Sequence, residues 1–185
     1  EAYRAATEET GYELTEDGIS PMAIPGVHDT PYVATGLEHN EHAHIDYSPQ
    51  AHEVMMRKRQ NKISAAEHEP GFVSRYGPSE ADLGLICWGG VYGPAREALE
   101  RAEEKGYRVA LLVPRMLWPL PEKAIAEFMD SVKRTAVVEA NFSGQLANLI
   151  QSRLCRPVLR CNKYGGMPFT SSEVLSYIEG VVNNG

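Results

Sequence analysis

His39, His42 and His44 lie with Glu38, Glu41 and Asp46 inside the eleven residues Gly36–Asp46. Imidazole nitrogens and carboxylate oxygens at this density are ligands suited to zinc, manganese or iron. The spacing is not that of a helical HExxH, and the segment carries no strong helix signal, so any ion would be held by a loop. The competing reading is an interface loop whose imidazoles and carboxylates hydrogen-bond to neighbouring groups. The other histidines are His28, His52 and His68, so everything after residue 68 lacks the commonest general base.

Two further stretches hold groups that need partners. Gly89-Gly90-Val91-Tyr92-Gly93 follows an apolar run and precedes a helical pattern, a place where backbone amides could hold an anion. It is not GxGxxG and lacks the Lys and Ser/Thr of a phosphate loop, which favours a tight strand-to-helix turn. Glu139-Ala140-Asn141-Phe142-Ser143-Gly144-Gln145 leaves an apolar run with polar groups at Glu139, Asn141 and Gln145. They either contact a ligand or subunit, or bond within the turn and cap the next helix. Arg57-Lys58-Arg59 and Lys62 form a basic patch read as a solvated or salt-bridged face. Cys87, Cys155 and Cys161 have no CxxC spacing, which argues against a disulfide framework or an iron–sulfur cluster within this chain and makes a reducing cytoplasm the expected location.

The bulk numbers bound the rest. The chain has 185 residues, 43% of them hydrophobic and 23% charged, with a net charge of -7. This is globular composition, and the acidic balance argues against a nucleic-acid surface. No apolar run approaches a membrane span, and no signal peptide opens the chain. The chain begins without Met in what reads as the middle of a helix (Ala2, Tyr3, Ala6), so a piece of a longer protein is expected.

The elements that must position these groups divide near Gly71–Pro78. Beyond it, strand and helix patterns alternate. Leu83–Trp88 and Val109–Val113 are continuously apolar, as strands buried on both faces are. Ala136–Val138 and Val158–Cys161 read as two more strands. Helices follow each: one with Pro94 in its first turn and Ala95, Ala98, Leu99 and Ala102 inward; one opened by Pro121 with Ala124, Ile125, Phe128, Met129 and Val132 on one side; a short one with Leu146, Leu149 and Ile150; and a last one behind the capping box Thr170-Ser171-Ser172-Glu173. The expectation is an α/β three-layer sandwich with a mostly parallel sheet over 78–185. The order of its strands is not encoded in this pattern. Before it lie an extended strap and one long helix, starting at Ser48-Pro49 and running to about Ala66 with Ala51, Val54, Met55 and Ile63 as apolar positions. This first portion offers too little apolar surface for its own core and is expected to lie across another domain or subunit.

Taken together, several segments resemble one family. Leu14-Thr15-Glu16-Asp17-Gly18-Ile19-Ser20-Pro21, Ile24-Pro25-Gly26 and Ala34-Thr35-Gly36-Leu37-Glu38-His39-Asn40-Glu41 are similar to the alpha subunits of 2-oxoacid:ferredoxin oxidoreductases. So are Met56-Arg57-Lys58-Arg59, Trp88-Gly89-Gly90-Val91-Tyr92-Gly93, Leu117-Trp118-Pro119-Leu120-Pro121, Val138 to Leu146 and Tyr164-Gly165-Gly166-Met167-Pro168-Phe169, all in the family's order, with the 2-oxoglutarate branch most alike. The resemblance implies that 1–50 is the end of a pyrimidine-binding domain and a linker strap, 48–70 a linker helix, and 78–185 a transketolase C-terminal-like domain used for subunit association. It implies a whole enzyme that decarboxylates a 2-oxoacid oxidatively on thiamine diphosphate with Mg²⁺, passes electrons through iron–sulfur clusters to ferredoxin, and forms an acyl-coenzyme A. Its partners would be a beta subunit, a second alpha subunit, ferredoxin and coenzyme A, with no nucleic acid and no membrane.

The family's thiamine-proximal motifs are absent here, so no catalytic or cofactor-binding residue is assigned to this chain, and the piece alone is expected to be inactive. Ser20, Pro21, Glu38, His39, Glu41, Tyr92, Glu139, Asn141 and Gln145 are the candidates for an interface or active-site edge. Met22 stands where relatives often have Arg, Gly90 where they often have Ser, and Ala43 where they often have Gly. The alternatives are a free-standing metal-binding protein using His39, His42 and His44, and an interaction module without chemistry.

Overall fold

A computed structural model describes residues 12–22, 35–68 and 71–184. The expected helical start at Ala2–Ala6, and the matches at Ile24–Gly26 and Ala34, lie outside these residues. The chain separates into two compact units, 1–68 and 69–185.

In the first unit, helix α1 spans Pro49–Ala65. Ser48 caps it, its hydroxyl accepting from the Ala51 amide at 3.2 Å, and Pro49 fills a first-turn position where no backbone donor is needed. Of its apolar residues only Met55 is buried; Val54 and Ile63 are exposed. Charged and polar residues break the helical stripe from Arg57 onward, so nothing organises these side chains into a core face.

The second unit is a five-stranded sheet between helices. Its strands are β1 (Val73–Tyr76), β2 (Ala81–Cys87), β3 (Val109–Pro114), β4 (Val132–Glu139) and β5 (Leu159–Asn162), in the spatial order β1-β3-β2-β4-β5. β1 pairs antiparallel with β3, and all other pairs are parallel. The helices are α2 (Tyr92–Glu104), α3 (Glu122–Asp130), α4 (Gln145–Leu154) and α5 (Ser171–Asn183). Alternate strand residues serve opposite faces. Leu83, Leu85, Leu111, Val113, Ala136 and Val138 pack with Ala95, Ala98 and Leu99 of α2 and Val174, Leu175 and Ile178 of α5. Ile86, Ala110, Leu112 and Val137 pack with Ile125 and Phe128 of α3 and Leu146, Ala147 and Ile150 of α4. Burial on both faces explains why the central strands read as continuous apolar runs.

Two local features differ from the sequence reading. β1 lies where no strand is expected. Val132 begins β4 instead of ending the preceding helix: Ser131 closes α3 by donating both its amide and its hydroxyl to the Phe128 carbonyl, at 3.1 and 2.7 Å. At Gly84 a Cβ would come 2.7 Å from the Phe128 ring, so glycine is what lets α3 lie directly on β2. The capping box at α5 is present in both directions, Glu173 N to Thr170 Oγ1 at 3.3 Å and Thr170 N to Glu173 Oε2 at 2.7 Å.

From β2 the chain steps to β3 on one side, then returns across to β4 on the other. The carboxyl ends of β2 and β4 therefore flank the point where the winding reverses, the usual meeting place for ligands of open α/β sheets.

Candidate functional site at the carboxyl edge of the sheet

β4 is apolar up to Val138 and then places Glu139 in a fully buried position. The carboxylate is compensated by donors from the start of α4. Oε2 accepts from the Leu146 amide at 2.9 Å and from Asn141 Nδ2 at 2.7 Å; Oε1 accepts from the Ala147 amide at 3.0 Å. Helix α4 has no side-chain cap from its own N-cap residue, Gly144 in a left-handed conformation, so the strand carboxylate does that work and lies at the positive end of the helix. Asn141 Oδ1 accepts from the Gly144 and Gln145 amides at 2.7 and 3.2 Å, and the Asn141 carbonyl accepts from Asn162 Nδ2 at 2.9 Å. Arg160 donates to the Ser143 carbonyl and to Asn148 and Gln151. A Cβ on Gly144 would stand 3.0 Å from the Arg160 guanidinium and 3.3 Å from Asn162. The polar groups of Glu139 and Asn141 are thus satisfied by the turn and the next helix.

This network fixes a loop that holds Phe142 outward, 75% exposed, edge-on to Tyr164 with ring centroids 4.8 Å apart. Trp118, Tyr164 and Met167 are also exposed in neighbouring loops at the carboxyl ends of strands, and Tyr92 opens the helix after β2. Phe72 joins them, because antiparallel β1 starts beside the end of β3. Among the described residues of this unit, Leu159 at the start of β5 is the one large exposed apolar side chain placed elsewhere. The amino edge is charged instead, with Lys133 2.7 Å from Asp82 and Arg156 2.6 Å from Asp130.

Beside β3, the Tyr92 hydroxyl donates to the Tyr76 hydroxyl at 3.1 Å, and the Arg96 guanidinium lies 4.9 Å from the centre of the Tyr76 ring. The Tyr92 hydrogen bond holds the Tyr76 phenol below its ordinary pKa, with Arg115 and Arg96 acting in the same direction, while Tyr92, as donor, is raised. The turn Gly89–Val91 is a short 3-10 segment leading into α2, as the tight-turn reading expects.

The histidine stretch in the first unit does not converge. His39 is 2% exposed, stacked on Tyr12 at 4.5 Å, with Nε2 3.2 Å from Thr35 Oγ1. His42 and His44 are exposed, and their backbone amides donate to Asn40 Oδ1 at 3.0 and 3.2 Å, which makes the segment a hydrogen-bonded turn. Glu41 is exposed, 3.5 Å from His42. Among the described residues no three His, Cys, Asp or Glu side chains are grouped to hold an ion. The chelate expected under the metal-binding alternative is not formed, because the turn is organised by Asn40 and by burial of a single imidazole.

Glu38 instead takes a bidentate pair from Arg59 at 3.0 and 2.8 Å and lies 3.0 Å from His52; the Arg59 hydrogen bond is the main reason its pKa falls to about 2. Ser20 donates to the Glu13 carbonyl at 2.8 Å and accepts from Lys58, which also donates to the Tyr12 carbonyl, and Pro21 follows half-buried. The basic patch of α1 is therefore a salt-bridged face: Arg59 serves Glu38, Lys58 the Ser20 loop, and Arg57 pairs with Glu53 at 2.9 Å. Phe142, Tyr164, Arg160, Asn162 and Tyr76 were not legible as site residues; the signal available was the bulky aromatic inside the polar Asn-Phe-Ser-Gly turn.

The cysteines do not gather. Cys87 is buried, its thiol pushed up to about 12; Cys161 is half-buried, pushed up to about 11; Cys155 is exposed. Neither an iron–sulfur cluster nor a diphosphate-bound Mg²⁺ fits the described donor set, and the oxygens of Glu139 are already engaged. No helix among the described residues is long and apolar enough to cross a membrane.

Fold and edge define a doubly wound α/β domain of the transketolase-like class. A split-gene transketolase shares the fold, with a TM-score of 0.50 at 16% identity over 62% of this chain and 42% of that one. The family profile of the pyruvate:ferredoxin oxidoreductase core domain II matches residues 81–174. The alpha subunit of 2-oxoacid:ferredoxin oxidoreductase 2 of Aeropyrum pernix is 34% identical over 178 residues, 94% of this chain and 27% of that protein. A 2-oxoglutarate:ferredoxin oxidoreductase from Magnetococcus marinus, solved with 2-oxoglutarate, coenzyme A and succinyl-CoA bound, superposes with a TM-score of 0.83 at 37% identity over 96% of this chain and 32% of that one. The chain belongs to the 2-oxoacid:ferredoxin oxidoreductase family, on the alpha-subunit side. It spans roughly a quarter to a third of the length of these relatives.

Proposed function

We propose that the chain works as part of the alpha subunit of an oxidoreductase that converts a 2-oxoacid, 2-oxoglutarate in particular, and coenzyme A into the acyl-coenzyme A and carbon dioxide, with ferredoxin taking the electrons. Likeness to the Magnetococcus enzyme over nearly all of this chain supports the substrate class. The thiamine diphosphate, Mg²⁺ and iron–sulfur clusters that the family implies for the whole enzyme are assigned to its other portions; among the described residues no His, Cys, Asp or Glu group is gathered to hold an ion.

Within it, the 69–185 unit serves association, and its carboxyl edge is the docking face. The observation that carries this is the gathering of Phe72, Tyr92, Trp118, Phe142, Tyr164 and Met167 on one edge. Scattered exposed apolar residues need no explanation, but a one-sided aromatic set marks interaction surfaces. The occupant is another portion of the same oxidoreductase, its beta subunit or a second alpha subunit. The strap and α1 contribute by lying over partner domains, pinned by the Glu38–Arg59 and Ser20–Lys58 contacts. The test is reconstitution of the full-length alpha subunit with its beta subunit. 2-Oxoglutarate-dependent, coenzyme A-dependent ferredoxin reduction is expected, with residues 1–185 alone inactive. Turnover by 1–185 alone, or none by the complex with any 2-oxoacid, overturns the reading.

A further inference from the structure

Lys58 is set apart from the lysines of the second unit. Lys105, Lys133 and Lys163 each face a carboxylate. Lys58 is half-buried, and its partners are uncharged: Nζ donates to the Tyr12 carbonyl at 3.0 Å and to the Ser20 hydroxyl. An amine that gives up its third proton keeps both contacts, and its lone pair then stands where that proton was. Desolvation lowers the Lys58 pKa; the charges of Lys62 and Arg59 act in the same direction, and Glu13 opposes them. Burial and neighbouring cations are the circumstances that make a lysine nucleophilic.

The same side chain lines a cavity of about 390 Å³, walled by one face of α1 and by Leu14 and Thr15. That volume is in the range of small-molecule sites. Leu14 and Val54 give the wall an exposed apolar strip. Gln50 and Asn61 also line it and, among the described residues, their amides have no hydrogen bond. The Thr15 hydroxyl is buried without a partner. Glu53 and Arg57, in the same wall, neutralise each other in a 2.9 Å pair. The main chain beside Lys58 is closely packed as well: a Cβ on Gly18 would come 2.5 Å from the Lys58 carbonyl oxygen.

We propose that Lys58 is an acylation site for the acyl-coenzyme A that this enzyme produces, with the acyl chain seated in the α1 cavity. This rests on the proposed activity, which makes the thioester. The Lys58 nitrogen attacks the thioester carbonyl carbon. The C–N bond forms, the C–S bond breaks, and the coenzyme A thiolate leaves with the proton lost from nitrogen; nothing is oxidised or reduced. For a succinyl group, Leu14 and Val54 cover the methylenes, and Gln50 and Asn61 offer donors to the free carboxylate. The coenzyme A portion stays outside in solvent. The amide formed is neutral and has a single N–H, so it keeps at most one of the contacts to Tyr12 and Ser20. Acylation therefore loosens the 12–22 segment on α1, and the acyl product acts back on the loop that carries Ser20 and Pro21.

The test treats the full-length alpha subunit, assembled with its beta subunit, with succinyl-coenzyme A and follows each lysine by peptide mass spectrometry. Lys58 is expected to be acylated severalfold faster than Lys123, whose side chain is 88% exposed. Val54→Trp, at an exposed position, fills the cavity; it is expected to slow Lys58 severalfold and to leave Lys123 unchanged. Amide exchange over 12–22 should rise in the acylated protein, and Lys58→Arg should remove both the mark and that rise. A Lys58 rate no higher than that of Lys123, or one that Val54→Trp leaves unchanged, overturns the assignment. The thioester is added from outside, so the two readings separate. If the complex turns over 2-oxoglutarate while Lys58 stays unmodified, the acylation site falls and the activity stands. If Lys58 is acylated selectively in a complex that turns over no 2-oxoacid, the site stands and the activity falls.

Discussion

Replacing Glu139 should cost more stability than any other single polar change in the 69–185 unit. The carboxylate is fully buried and accepts from the Leu146 and Ala147 amides and from Asn141 Nδ2, at 2.9, 3.0 and 2.7 Å. Glu139→Gln keeps the shape but turns an amide NH₂ toward donors, leaving at least one buried N–H unpaired, at about 1–3 kcal/mol. It also removes the negative charge at the start of α4, about 1–2 kcal/mol in a buried setting. Together these give a loss of about 3 kcal/mol. At a urea slope of about 1.5 kcal/mol/M this moves the midpoint down by about 2 M, with the slope unchanged. Both tryptophans of the chain, Trp88 and Trp118, lie in this unit, so tryptophan fluorescence follows it without interference from residues 1–68. Asn141→Ala, which leaves the carboxylate its two helix amides, should cost less. A Glu139→Gln midpoint within about 0.3 M of the parent, corresponding to under 0.5 kcal/mol, would refute the capping argument.

Gly84→Ala should destabilise by about 1–3 kcal/mol, because its Cβ would sit 2.7 Å from the Phe128 ring, and Phe128→Leu in the same chain should recover part of that loss in urea denaturation. Glu38 titrates near 2 in the folded chain against an ordinary 4.5, so its pairing contributes fully above about 4.5 and is lost as pH falls through about 2. Carboxyl-carbon NMR should show that midpoint move up toward 4.5 in Arg59→Gln; a midpoint that stays near 2 refutes the Arg59 assignment. Of the three cysteines only Cys155 is exposed, so a thiol reagent near pH 8 should modify one equivalent quickly in the native protein and three in denaturant; fast loss of Cys87, whose thiol is pushed up to about 12, would contradict the packed β2 core.

Much of the second unit was legible because its signals are local. The apolar runs of β2 and β3, the Pro94 and Pro121 helix starts and the Thr170–Glu173 capping box each depend on residues adjacent in sequence, and each element lies where expected within a few residues. Strand order was not legible, since it is decided by which faces cover each other across the whole unit. β1 escaped notice because Val73-Ser74-Arg75-Tyr76 is a four-residue edge strand, half-exposed, with too little apolar pattern to separate it from a loop. Val132 was misassigned because a β-branched residue suits the apolar side of a helix as well as the start of a strand, and the decisive Ser131 cap is a three-dimensional contact.

At the edge, Glu139 and Asn141 were recognisable as groups needing partners, and the partners of their side chains are local, the amides of Gly144 to Ala147. Asn162 and Arg160, which bond the Asn141 and Ser143 carbonyls, were not legible because they come from a strand distant in sequence. Phe142 and Tyr164 meet only because β4 and β5 are neighbours. The His39–His44 stretch shows the opposite failing. Residue types that suit a metal were dense in sequence, yet a single Asn40 turn directs them apart.

The central claim is that the carboxyl edge of the 69–185 unit is a docking face within a 2-oxoacid:ferredoxin oxidoreductase. Amide hydrogen exchange on the full-length alpha subunit, alone and assembled with its beta subunit, tests it most directly. The expected result is added protection on assembly in the loops 88–93, 115–121, 140–145 and 163–169. The amino-edge segments around Glu80, Arg108 and Lys133 should be unchanged. Protection confined to the amino edge, or no change in the 69–185 unit, would contradict the account.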